Sequence, residues 1–316
     1  MSPSNKSPIN LAIVGVGKIV RDQHVPHIAK NPRYKLVAGV SPNSKLETVP
    51  TFPDLDALFA SGVAFDAASV CTPPQVRHAL ADRLLQAGKH VFLEKPPGAT
   101  VSEVEDLQKT ADAKTLTLFA SWHSREAEAV EPAAAWIKGR KLKSVEIIWR
   151  EDVRKWHPGQ DWIWKAGGLG VFDPGINALS IATRILPPFF ARQAELEFPA
   201  NRDAPIAARI GFELEGGGTM SADFDWRQTG PQTWDIRIEA EDGGSMRLSK
   251  GGDALSLDGK DVELAPEREY GALYDRFADL IDAGQSDADV RPLQQVADAF
   301  LLGRRIETEA FYDPAR

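Results

Sequence analysis

Five short apolar runs, at residues 11–14, 34–40, 65–71, 90–93 and 115–120, alternate with helix-like stretches over the first 121 residues. The helical stretches are 54–60, 77–87 and 102–113. The second is closed by Gly88, and Ser102 with Glu103 and Glu105 behind it makes a favourable start for the third. Alternation of strand and helix with short links specifies an α/β fold, a parallel doubly wound sheet. Ligands of such sheets sit at the carboxyl ends of the strands.

The first run leads into Gly15-Val16-Gly17-Lys18-Ile19-Val20. A strand, a G-x-G turn and a helix form the dinucleotide-binding arrangement. The first glycine makes the tight turn, and the second lets a pyrophosphate approach the backbone at a helix N-terminus. Val20 stands where the strict fingerprint has Gly or Ala, which implies wider helix–strand packing with the phosphate turn intact. The cofactor-binding set expected along this edge is Gly15, Gly17, Lys18, Ile19, Ser41, Cys71, Thr72, Pro73, Glu94 and Lys95. After the second strand the chain reads Ser41-Pro42-Asn43-Ser44-Lys45, without the carboxylate that usually holds the ribose hydroxyl of NAD. Ser41, Asn43 and Lys45 suit a phosphate instead. NADP is therefore expected to be accepted, with NAD also usable.

The fourth run ends in Glu94-Lys95-Pro96-Pro97-Gly98. The prolines break the strand at once and restrict the backbone around Lys95. A strand-end lysine by itself is a surface residue. On the same sheet edge as a nucleotide turn, Lys95 becomes the leading catalytic candidate.

The 316 residues suffice for two domains, each with its own core. The net charge of −8, with no basic run of five, argues against nucleic acid or an anionic membrane as partner. One cysteine, Cys71, rules out an internal disulfide, and no apolar segment approaches the ~20 residues of a membrane span. The polar start at residues 1–10 reads as a frayed lead-in rather than a signal segment, and the expected location is the cytoplasm.

All eight tryptophans lie beyond residue 121, the boundary expected between a dinucleotide-binding domain at 1–121 and a substrate-binding and oligomerisation domain at 122–316. The C-terminal helix is the element expected to return to the first domain. Residues 151–164 interleave tryptophans with carboxylates, His157 and Gln160. Flat sugar C–H faces stack on indole while hydroxyls need fixed donors and acceptors. Glu151, Trp156 and His157 are read as ligand contacts, and Trp162 and Trp164 as core anchors. Asp173 and Asn177, after the glycines at 167–170, lie four apart on one side of a helical turn. An Asp before Pro is also an ordinary N-cap, so that pattern by itself carries no function. Residues 194–198, 207–214, 218–226, 233–240, 245–248 and 254–257 read as an open antiparallel sheet, a natural surface for a homodimer or homotetramer. Helices at 270–283 and 293–309 close the chain. No metal-ligand spacing occurs, and His24 and His27 read as isolated structural residues.

GVGKI at the start, CTPP at 71–74, EKP at 94–96 and the glycine-rich D-x-x-x-N segment resemble the Gfo/Idh/MocA oxidoreductases over nearly the whole chain. Within that family, GKIVRDQH, LEKPPGAT, WHPGQDWIW, GGLGVFDPGINALSI, EFPANRDAPIAA and DVRPLQQVADAF are similar to the bacterial 1-dehydrogenases of L-arabinose and D-galactose. The resemblance implies a Rossmann domain followed by an α/β domain with an open, mainly antiparallel sheet. It implies that Lys95 is catalytic and that His123, Glu151, Trp156 and Trp234 face a sugar. It also puts the CTPP turn and Glu94 beside the nicotinamide ribose. The wider family often has His where this chain has Asn177, so an imidazole base is absent there; the sugar dehydrogenases also carry Asn.

The reaction so implied is oxidation of an aldopyranose at C1 to a lactone, with Lys95, Asp173 and Asn177 as the catalytic set. A lysine ammonium is a poor base at neutral pH. A neighbouring carboxylate holds a lysine charged, whereas burial and a cationic nicotinamide favour its neutral form. The base is accordingly read as the Lys95/Asp173 pair. L-Arabinose and D-galactose share the stereochemistry of C1 to C4 and differ by one exocyclic group, which changes discrimination by only about 1–3 kcal/mol. Dual specificity is expected. Two other readings stay open, a reductase of another polyol or an imine, and a non-catalytic NAD(P)-binding sensor.

Overall fold

β1 (Ile9–Val14) is buried over its last four residues, as befits a strand covered on both faces. The structure, a computed structural model, describes residues 7–312; of the lead-in expected at 1–10, residues 1–6 lie outside the described residues, and Ile9 and Asn10 belong to β1 instead. A helical stretch after Gly17 widens into a π-type turn at Val20–His24 and continues as α1 (Val25–Lys30). The chain then forms β2 (Tyr34–Val40), β3 (Thr51–Phe52), α2 (Leu55–Ala60), β4 (Ala67–Val70), α3 (Pro74–Gln86), β5 (His90–Leu93), α4 (Val101–Ala113) and β6 (Leu118–Ala120). These strands make one parallel sheet in the order β3-β2-β1-β4-β5-β6. The α4 N-cap is Thr100 rather than Ser102. Its hydroxyl accepts from Glu103 N, while the Glu103 carboxylate accepts from Ala99 N.

The following segment supplies α5 (Val130–Ile137), β7 (Leu142–Arg150), a short α6 (Val153–Trp156), α7 (Phe172–Ile185), β8 (Phe189–Pro199), β9 (Ala207–Leu214), β10 (Thr219–Asp225), β11 (Thr233–Ala240), β12 (Ser245–Ser249), β13 (Ala254–Leu257) and β14 (Lys260–Asp261). The chain ends with α8 (Glu269–Ala283), α9 (Arg291–Leu302) and β15 (Gly303–Thr308). The second sheet has nine strands in the order β14-β13-β12-β11-β7-β10-β9-β8-β15. It is mixed. β7 with β10 and β8 with β15 run parallel, and the other pairs are antiparallel.

Two units result. The first takes in the chain up to His123 and Glu269–Val290; the second takes in Ser124–Arg268 and the chain from Arg291 onward. A single cut after residue 121 misses α8, and the reason lies in the parallel sheet. One of its faces is filled by Leu55, Leu58, Leu84, Leu85 and Leu107 from α2, α3 and α4. On the other face the N-terminal segment supplies Val16, Val20, Ile28 and Leu46, and Tyr270, Leu273, Tyr274 and Phe277 of α8 complete it. The penultimate helix returns to the first unit, and α9 stays with the second.

The single helix expected over 293–309 is instead α9 followed by the strand β15. Gly303 ends the helix: a Cβ there would lie 2.5 Å from the Ala299 carbonyl and 2.8 Å from the Leu196 side chain. With only a hydrogen in that space, the chain turns into an edge strand beside β8. α5 and β7 were not foreseen, although β7 alternates buried and exposed residues along much of its length. In the second unit α7 lies close on the sheet, where a Cβ at Gly175 would come 2.9 Å from the Phe224 ring. Among the described residues, no helix is long and apolar enough to cross a membrane.

Candidate active site

In the first unit the carboxyl edge of the sheet is built around Gly15. Its φ of +90° favours glycine, and a Cβ would sit 2.9 Å from both Thr72 Cγ2 and Thr72 N. The G-x-G turn and the Cys71-Thr72-Pro73 turn are therefore in close contact. At Gly17 a Cβ would meet nothing within 4 Å, so open space faces the start of the helix. Thr72 Oγ1 is buried without a hydrogen-bond partner among the described residues. A tight turn, an open backbone and an orphaned hydroxyl at one edge fit a dinucleotide phosphate. Gly17→Ala is accordingly expected to change stability by less than about 1 kcal/mol while weakening NAD(P) binding at least tenfold, read by titration calorimetry beside thermal melts.

Lys18 is exposed and paired with Asp22 one helical turn on, and Ile19 is exposed. Ser41 is half-buried, with its amide bound to the Phe52 carbonyl.

Glu94 directly follows β5 and is 5% exposed. One carboxylate oxygen accepts from Tyr270 OH at 2.8 Å and from His24 Nε2 at 3.0 Å; the other accepts from the Lys95 amide at 2.8 Å. His24 is not isolated. The π-type turn carries it into the core, where Nδ1 lies 2.6 Å from Tyr274 OH and Cys71 Sγ lies 3.6 Å from Nε2. Burial alone would push the His24 imidazole down, but Cys71, Tyr274 and Glu94 outweigh it and hold it well above its ordinary range. Burial would likewise raise Glu94, yet its hydrogen bond and charge interaction with His24 bring it down to about 2. His24 Nε2 and the Glu94 carboxylate form a buried pair directly behind the Lys95 peptide.

The Lys95–Pro96 peptide bond is cis, and Pro96, Pro97 and Gly98 are buried. His123 belongs to this unit too. It bonds Glu269 at 2.7 Å and stacks on Tyr270. Burial opposes its charge, but Glu269 and then Glu94 raise its pKa above the ordinary value against the pull of Lys95.

In the second unit Glu151, at the end of β7, is the centre of a polar cluster. Its two oxygens accept from Trp226 Nε1 at 3.3 Å and Trp234 Nε1 at 3.0 Å. His157 Nε2 lies 3.4 Å from Asp173 Oδ2 and 3.9 Å from Glu151 Oε1. Asp173 is buried within the first turn of α7, whose N-cap is Val171, so it is no simple cap. Asn177 follows one turn later and is half-buried. Trp156 is 42% exposed and tilted against Trp234 at 5.5 Å. A half-exposed indole beside fixed carboxylates offers stacking and hydrogen bonding together, as a sugar requires. Trp164 is core, packed on Trp226 and Phe311, whereas Trp162 is only half-buried.

The residues expected to contact substrate thus fall into two groups, His123 in the first unit and Glu151, Trp156, His157, Asp173, Asn177 and Trp234 in the second. Sequence reasoning missed Arg77, His24, Tyr270, Tyr274 and Trp226. The four-residue spacing of Tyr270 and Tyr274 was the one available signal, since it puts both on one helix face. No cluster of three or more His, Cys, Asp or Glu among the described residues is placed to hold a metal ion.

Residues 9–121 match the model of the Gfo/Idh/MocA oxidoreductase family, described as an NAD-binding Rossmann fold. Over 311 residues the chain is 45% identical to galactose 1-dehydrogenase of Pseudomonas fluorescens, covering 97% of this chain and 99% of that protein. The chain belongs to the Gfo/Idh/MocA oxidoreductase family. Its fold superposes on the crystal structure of a D-galactose-1-dehydrogenase from Rhizobium etli with a TM-score of 0.94 and 59% identity, covering 98% and 99% of the two chains. A 3-ketoreductase from Actinomadura kijaniata, solved in complex with NADP, shares the fold at a TM-score of 0.79 and 17% identity, over 95% of this chain and 99% of that one. As a Gfo/Idh/MocA protein the chain is an oxidoreductase with an NAD(P)-binding Rossmann domain.

Proposed function

We propose that the chain is an aldose 1-dehydrogenase that oxidises D-galactose, and L-arabinose with it, at C1 to the lactone with NADP⁺ or NAD⁺. The observation that carries this reading is the cluster of Glu151, His157 and Asp173 framed by Trp156, Trp226 and Trp234. Full-length likeness to two galactose 1-dehydrogenases supports it.

A bound nicotinamide supplies the hydride acceptor. As the C1–H bond breaks, the anomeric hydroxyl loses its proton and C1 becomes the lactone carbonyl. Lys95 takes or relays that proton, and Asp173 is the carboxylate assigned to assist it. Glu151, held by two indole N–H groups, accepts from sugar hydroxyls. His157 and Asn177 fix hydroxyls, Trp156 stacks on the C–H face, and His123, bonded to Glu269, donates. Ser41, Asn43 and Lys45 replace the carboxylate that would repel a 2′-phosphate. The proposed setting is the cytoplasm, and the proposed assembly is a homodimer or homotetramer formed through the nine-stranded sheet.

The test is absorbance at 340 nm with NAD⁺ and NADP⁺ against a panel of aldoses. Reduction of both nucleotides by D-galactose and L-arabinose is expected, with glucose slower because its C4 hydroxyl is inverted. No reduction by any aldose would overturn the assignment in favour of a sensor.

A further inference from the structure

Arg77 sits in the first half of α3 and is 2% exposed, an unusual place for a guanidinium. Its Nη1 donates to the carbonyls of Glu94 and Pro96, and its Nη2 donates to the carbonyl of Thr72. The first two carbonyls flank Lys95 on either side in the chain, and the third belongs to the turn packed on Gly15. One planar cation thus grips the lysine turn and joins it to the nucleotide turn. The Lys95 amide, between those carbonyls, is held by Glu94 Oε2.

We propose that Arg77 is a positioning residue for the reaction. It fixes the backbone of Lys95 relative to the Thr72 turn and so sets where the lysine Nζ meets substrate. The role of Lys95 rests on the function proposed above; the grip of Arg77 on its backbone does not. Only a fork of N–H donors reaches three carbonyls at once. A lysine offers a point charge on a flexible stem and cannot reproduce that geometry. Displacement of a catalytic group by about 1 Å costs on the order of 10²-fold in rate.

Arg77→Lys and Arg77→Ala are compared with wild type in the full-length protein. In both variants kcat with D-galactose is expected to fall about 100-fold, while KM and the NADP⁺ dissociation constant stay within threefold. Added guanidinium chloride at low millimolar concentration is expected to recover part of the kcat of Arg77→Ala and none of that of Arg77→Lys. Hydrogen–deuterium exchange of the 90–100 peptide, read by mass spectrometry without substrate, is expected to quicken at the Lys95 amide in both variants. That last arm stands even if no aldose is turned over. Exchange equal to wild type, or a kcat loss matched by an equal loss of NADP⁺ affinity with no guanidinium rescue, would overturn the proposal.

Discussion

Lys95→Ala is expected to lower kcat with D-galactose by about 10³-fold or more, within the range contributed by a positioned acid–base group. Binding of NADP⁺, measured by quenching of protein fluorescence, should change less than threefold, because the turns at Gly15 and Thr72 do not depend on the lysine side chain. The backbone at position 95 is held by Glu94 and Arg77 through main-chain atoms, so truncation to Ala leaves the turn in place. Lys95→Arg separates base from cation. Arginine keeps the charge and does not deprotonate in proteins. If Lys95 takes the proton, Lys95→Arg is as inactive as Lys95→Ala at every pH. If Lys95 acts through charge alone, the arginine variant retains a substantial part of kcat. Turnover unchanged in Lys95→Ala would remove the lysine from the mechanism altogether.

The parallel sheet was legible because each apolar run and each turn residue carries its own signal. The 34–40 and 90–93 strands appear as read, and the glycine turn falls at the end of β1. Three antiparallel strands of the second sheet also coincide with their runs at 207–214, 233–240 and 254–257. What stayed hidden was long-range. Nothing local in Tyr270 or Tyr274 says that α8 crosses back to fill the face left open beside α1. The π-type turn that buries His24 is a one-residue change in helical winding, below the resolution of periodicity. Arg77 opens the helical stretch expected at 77–87, and its acceptors are backbone carbonyls, which carry no side-chain signature. The candidate site residues rest on their chemistry and on the family resemblance. Their supports include partners 17 to 250 positions away along the chain, and only folding brings those together.

The largest effect on stability is expected from Glu94→Ala. The carboxylate is buried, and removing it leaves His24 Nε2 and the Tyr270 hydroxyl without their acceptor. Loss of one partner of a buried pair costs about 3–5 kcal/mol. The pH dependence follows from the two shifts. Glu94 lies at about 2, below its ordinary 4.5, so its contribution is complete above pH 4.5 and is lost as pH falls toward 2. His24 lies well above its ordinary 6.5, so its contribution is complete below pH 6.5 and declines as pH rises toward the raised value. The penalty of Glu94→Ala should therefore be greatest between pH 4.5 and 6.5 and shrink on both sides, as measured by urea unfolding followed by circular dichroism. His24→Phe should show the same window, and the double variant should lose less than the sum of the two, because the second substitution removes a group already orphaned. A pH-independent penalty, or additive losses, would mean that the pair is held by neutral hydrogen bonding and not by charge. In that case Glu94 steadies the Lys95 amide through geometry alone.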